Sequence, residues 1–90
     1  MAQIIVDPAD LRRFVAVLEQ ETRALRERQR NMEASHRDLA QVWRDARYLE
    51  FERVYTPTMQ VLDRFEKMTD QYGRFLRGKA ERAERYLGRR

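Results

Sequence analysis

The stretch Val42-Trp43-Arg44-Asp45-Ala46 decides how this chain folds. Upstream of it, apolar residues recur every seven positions at Leu11, Leu18, Leu25, Met32 and Leu39. A second line, four residues on, holds Val15, Thr22, Gln29, His36 and Trp43. Continued past Trp43, the two lines reach Ala46, Glu50 and Arg53, two of them charged. The apolar set resumes out of phase at Tyr48, Phe51 and Tyr55. One straight helix cannot change its buried face so abruptly. The spacing therefore predicts an all-α fold: two long antiparallel helices in a helix-turn-helix hairpin, turning at about 43–46.

Outward from the turn, residues 1–90 read as a single domain. The first helix is expected over about 8–42 and the second over about 46–87. Asp7-Pro8 opens the first, the aspartate as cap and the proline at the first helical position, where no backbone donor is needed. Ile4, Ile5 and Val6 precede it as an extended arm that could staple onto a helix. Asp45 is the expected cap of the second helix, and Gly88 its stop. Pro57 lies inside that second helix, where proline removes one hydrogen bond and crowds the carbonyl of Arg53. A kink or short break is expected there, with Thr56 capping the restart. A hairpin turn at Thr56-Pro57 is the alternative, and the phase change at 43–48 argues against it.

The first helix has a narrow apolar face with polar residues Thr22, Gln29 and His36 where a tight core wants Leu or Ile. That is a coiled-coil-like seam with weak layers. The second helix carries three seven-residue lines. One holds Tyr48, Tyr55, Leu62, Thr69, Leu76 and Ala83; another Phe51, Thr58, Phe65, Tyr72, Lys79 and Tyr86; the third Val54, Val61, Met68 and Phe75. Together they make a face wider than one narrow helix can cover. The lines through Leu62–Leu76 and Phe51–Phe65–Tyr72 are assigned to the contact with the first helix. Val54, Val61, Met68 and Phe75 are left over as an interface, pairing hairpins into an antiparallel four-helix bundle, most simply a homodimer.

Charged residues make up 38% of the chain and hydrophobic ones 42%, a balance that suits long helices. The net charge of +4 sits in the second half. Arg82, Arg85, Arg89 and Arg90 form a candidate contact site for an acidic partner, although a solvated helix end, its cations suiting the helix dipole, is the favoured reading. Arg26, Arg28 and Arg30 do not share a face and read as solvated.

Little chemistry is encoded. With no cysteine there is no thiolate nucleophile and no Cys-ligated metal, and His36 is the single histidine. Its sequence neighbours Ser35 and Asp38 do not face it on a helix, so it reads as an interface histidine. No acidic residue lies in an apolar stretch that would tune it for proton transfer, and no glycine-rich loop could hold a phosphate. An enzyme, a metal or a cofactor is not expected. The aromatic stripe Tyr48, Phe51, Tyr55, Phe65, Tyr72 and Phe75 has the spacing of a covered helical face rather than of a base-stacking platform. No segment approaches the ~18 apolar residues of a membrane span, and the first residues do not read as a secretory signal.

The residues resemble the WXG family, the small ESAT-six-like helical hairpins of type VII secretion. Trp43-Arg44-Asp45 stands mid-chain where that family has Trp-x-Gly at the turn. Phe51 lies eight residues after the tryptophan and Tyr55 four further on, where the family commonly has aromatics. The likeness runs from about Ile4 to Leu87. Two departures accompany it. Asp45 replaces the glycine, and Arg90 stands where the Tyr-x-x-x-Asp/Glu export signal, starting here at Tyr86, has its acid.

The resemblance implies a substrate or adaptor of a type VII-like system, acting by protein–protein interaction. Its partners would be itself, another WXG-like chain, or the secretion ATPase. It also implies a cytoplasmic protein, or one exported without a cleavable signal. The rival readings are an intracellular adaptor or chaperone for another helical protein and, less favoured, a nucleic-acid-associated basic helical protein.

Overall fold

The computed structural model describes residues 6–88. They form two helices, α1 (Pro8–Val42) and α2 (Ala46–Gly88), packed against each other as a hairpin. The Asp7 carboxylate accepts from the Ala9 amide at 2.9 Å, and Pro8 sits in the first turn. α1 ends when Trp43 turns extended at φ −113°, ψ 110°, while its amide still donates to the Leu39 carbonyl. After Arg44, the Asp45 carboxylate accepts from the Tyr48 amide at 3.1 Å and caps α2. Among the described residues no position has positive φ. The turn thus makes no demand for glycine, which is why aspartate serves there.

Of the kink or short break expected at Pro57, the break does not occur: α2 runs through as continuous helix. Pro57 faces solvent, so water can reach the Arg53 carbonyl that has lost its donor. The neighbouring Thr58 hydroxyl donates to the Val54 carbonyl at 2.7 Å.

The molecule is a slab, 68 × 27 × 13 Å. Its seam is built from small and polar residues. Val15, Thr22 and Gln29 of α1 are buried against Glu66, Thr69, Gly73 and Ala80 of α2. Tyr48, Tyr55, Leu62 and Leu76 sit half-buried along the same line. The expectation that Phe65 and Tyr72 would serve this contact is overturned, for both are exposed, while Phe51, though partly exposed, does reach His36 of α1 at 6.0 Å between ring centroids. Close approach of two helices favours Gly73 and Ala80, which add no bulk. Phenylalanine on that line would force the helices apart. Ile4 and Ile5 lie outside the described residues.

Several polar groups in the seam are paired, although Gln29 Oε1 and Glu66 Oε2 are buried without a hydrogen-bond partner. The Thr69 hydroxyl donates to the Glu66 carbonyl at 2.8 Å, and the single proton of the Thr22 hydroxyl is shared between the Thr69 oxygen at 3.0 Å and the Leu18 carbonyl at 2.7 Å. The Gln29 amide donates to Asp63 at 2.8 Å and to Glu33 at 3.2 Å. Replacing Thr22 alone by Val is expected to cost about 1 kcal/mol by leaving Thr69 with one partner fewer. Replacing Thr22 and Thr69 together is expected to be near neutral or stabilising, since both hydroxyls leave at once. Denaturant titration of the two variants checks the contrast.

Gly73 is the other test of the seam. A β-carbon there would stand 3.8 Å from the Glu19 carboxylate, an ordinary contact. Gly73→Ala is therefore expected to raise stability by about 0.5–1 kcal/mol, the helix preference of alanine over glycine, read as a shift in the denaturant midpoint.

Candidate interaction surface

The two broad faces of the slab differ. One carries a ladder of cross-helix ion pairs spaced by seven residues on each helix. Arg12 holds Glu84 with two hydrogen bonds of 2.6 and 2.7 Å, Arg77 holds Glu19, and Arg26 holds Asp70 with Glu66 at 3.6 Å. Arg26 is thus a paired residue rather than a solvated one. A helix carbonyl and two carboxylates converge on it, which its position among other arginines does not reveal. The Arg12 guanidinium draws the Glu84 carboxyl below the usual carboxylate range, chiefly through the hydrogen bonds. Apart from the buried Glu66, these groups are at least partly exposed to solvent, so each pair contributes little to stability, but together they fix the register of the two helices.

The opposite face is apolar and open. From α1 it presents Phe14, Met32 and Leu39, with Leu11, Leu18 and Leu25 half-covered. From α2 it presents Val54 at 67% exposure, Val61 at 55%, Met68 at 52% and Phe75 at 57%. Phe51, Phe65 and Tyr72 stand beside them. All four α2 positions assigned to an interface are thus available on one side of one helix. Towards the turn this face sinks into a groove of about 660 Å³ between Met32 and Leu39 on α1 and Phe51, Val54, Thr58 and Leu62 on α2. Towards the other end Met68, Gln71, Tyr72 and Phe75 line a second hollow of about 290 Å³, with the Tyr72 and Phe75 rings edge to face at 6.3 Å.

An aromatic cluster closes the turn end. His36 stacks on Tyr55 at 4.1 Å between ring centroids and approaches Glu52 at 2.6 Å, with its ring N–H turned off the hydrogen-bonding direction. The Tyr48 hydroxyl donates to Glu52, and the Thr56 hydroxyl does so at 3.3 Å. The Tyr48 hydroxyl, more than His36, holds the Glu52 carboxyl below its ordinary range. The same bond pushes the Tyr48 phenol up, and burial pushes the Tyr55 phenol up. The sequence places His36 at an interface but gives no sign of Glu52 as its neighbour, because the two lie on different helices. Trp43 packs edge-on against Tyr48 at 5.3 Å and beside Phe51 at 6.1 Å, so of the turn residues Trp43 and Phe51 share one aromatic cap, while Asp45 holds the start of α2. Trp43 is half-buried. Trp43→Ala is expected to cost about 2 kcal/mol, below the ~3–5 kcal/mol of a fully buried ring. Asp45→Gly is expected to be tolerated, with a loss of a few tenths of a kcal/mol for the weaker cap. Thermal midpoints of both variants check the pair.

At the far end Arg82 and Arg85 are exposed on the last turns of α2, while Arg89 and Arg90 lie outside the described residues. Among the described residues no helix is long and apolar enough to cross a membrane. Comparison of the chain with family models, with curated proteins and with solved structures finds no match.

Proposed function

We propose that this chain is a non-enzymatic, WXG-like helical-hairpin protein that works by protein–protein interaction, as a substrate or adaptor of a type VII-like export system. The observation that carries the interaction reading is the division of the slab. One face is neutralised by its own ion pairs, and the other leaves large apolar side chains in water along both helices. Contiguous exposed apolar surface on this scale marks an interaction site. The seam itself buries little hydrocarbon, with Val15 and Ala80 its buried hydrophobic residues, so a covering partner supplies stability that one chain of this size lacks.

The export link rests on the Trp43-centred resemblance. It is supported by a turn whose backbone accepts aspartate in place of glycine. The basic end, Arg82 and Arg85 with Arg89 and Arg90, is a peripheral contact site in this reading. The test follows the protein in culture fluid and cell lysate, with and without the membrane ATPase that drives type VII export. Appearance outside the cell only when the ATPase is intact supports the reading. Retention inside in both strains overturns it in favour of an intracellular adaptor or chaperone.

A further inference from the structure

We infer that the outer flank of α2, with the apolar stripe beside it, docks the hairpin onto an anionic lipid surface. This rests on the reading of the open face as an interaction surface and not on the export link.

The argument starts from how α2 sorts its charges. Positions 53, 56, 60, 64, 67, 71, 74, 78, 82 and 85 follow one another in steps of three and four, so they share one flank of the helix. That flank lies opposite the buried line Thr69, Gly73 and Ala80, away from α1. It holds Arg53, Arg64, Lys67, Arg74, Arg82 and Arg85, all exposed, and no carboxylate. Among the described residues none of these six enters an ion pair. The acids of α2 are turned elsewhere. Glu84 and Glu81 face Arg12 of α1, Asp70 and Glu66 face Arg26, and Asp63 holds Gln29. Glu52 holds Tyr48, and Glu50 meets Arg47.

Beside the cationic flank stand Val54, Val61, Met68 and Phe75, each more than half exposed. An apolar stripe bordered by arginine and lysine is the pattern of a helix lying in the plane of a membrane interface, apolar side down. Long cationic side chains keep their charge among the headgroups while their stems lie along hydrocarbon. The hollows of about 660 and 290 Å³ open on the same side, where acyl chains can fill them.

An acidic helical protein is the other class of occupant, and spacing decides between the two. Helices paired in register repeat their charges every seven residues, as Arg12, Glu19 and Arg26 do. The flank cations fall at intervals from three to eleven residues, over about 48 Å of helix. A lipid leaflet offers negative charge without register along that whole length. A helix would have to carry acids at the same irregular places. The α1 margin of the open face carries Asp10, Glu21 and Arg28 and brings no net positive charge, so the hairpin tips with α2 towards the lipid. A protein over the apolar face and a lipid surface exclude each other, so docking uses the uncovered hairpin.

The test floats the full chain, at low micromolar concentration, with vesicles of phosphatidylcholine alone or mixed with phosphatidylserine. Binding is expected with the mixed vesicles only. It is expected to weaken between about 0.1 M and about 1 M salt, as the screening length falls from ~10 Å to ~3 Å. Each cation near an anionic surface is worth about fivefold in affinity, so Arg64→Gln, Lys67→Gln and Arg74→Gln together are expected to lower binding on the order of a hundredfold. All three positions are exposed, and circular dichroism is expected to show unchanged helicity. Phe75→Trp, in a chain whose single native tryptophan is replaced by Trp43→Phe, reports the apolar stripe: its emission is expected to shift blue on the mixed vesicles. Absence of binding to mixed vesicles overturns lipid docking and leaves an acidic helical protein as the occupant. Equal binding to both kinds of vesicle, or binding without the blue shift, overturns it as well. None of these results touches the export experiment, which decides the functional reading on its own.

Discussion

Val61→Asp combined with Met68→Asp is expected to leave the protein monomeric at concentrations where the unsubstituted chain sediments as a dimer. Both positions are more than half exposed in the single hairpin, so the substitutions do not enter the seam between α1 and α2. Their effect falls on assembly. Each large apolar side chain that becomes fully covered contributes about 1.5–3 kcal/mol relative to exposure. The four α2 positions together exceed the several kcal/mol lost on association only when most of them are well packed. Removing two and placing carboxylates in a desolvated seam reverses that balance, since a buried charge without a partner is strongly unfavourable. The loss of affinity is expected to exceed a thousandfold. Circular dichroism separates the outcomes. A monomer that keeps most of its helicity fits an intact hairpin without its partner. A dimer of unchanged mass would place the contact elsewhere on the slab.

Pro57→Ala is expected to stabilise the protein by about 2–3 kcal/mol. Proline in a helix interior is disfavoured by ~3 kcal/mol relative to alanine, through the missing donor and the crowded carbonyl of the preceding turn. A fraction of a kcal/mol to about 1 kcal/mol is returned because proline also stiffens the unfolded chain. α2 already passes through this position as helix and the side chain faces solvent, so alanine fits without rearrangement. The measurement is the shift in denaturant midpoint, at fixed protein concentration because assembly contributes to apparent stability. A loss of stability would show that the proline ring makes a contact the exposed position does not suggest.

The hairpin was legible in the sequence because its signals are local. The phase change after Trp43, Asp7-Pro8 before α1 and Asp45 before α2 each act within a few residues. The line Val15, Thr22, Gln29, His36 was legible as a polar seam for the same reason. The contact face of α2 was legible only in part. The line through Leu62, Thr69 and Leu76 does lie in the seam, but apolar periodicity also gave the contact to Phe65 and Tyr72, whereas Glu66, Gly73 and Ala80 are buried there. Small and paired polar residues let two helices approach closely, and a pattern that counts hydrocarbon passes over them. Arg26 escaped for a related reason: its partners Glu66 and Asp70 lie forty residues and more away in sequence. The exposure of Val54, Val61, Met68 and Phe75 follows from the width of the α2 face, which one narrow helix cannot cover.

The 13 Å thickness of the slab has a thermal consequence. A layer one helix deep shields few side chains on both sides, so a single hairpin that melts adds less new hydrocarbon to water than a globular domain of equal length. Its heat-capacity increment on unfolding therefore falls below the usual ~12–15 cal/mol/K per residue, and its stability changes only gently with temperature. Covering the apolar face moves the missing increment into the association step. Warming and removal of the covering partner then act on the same event.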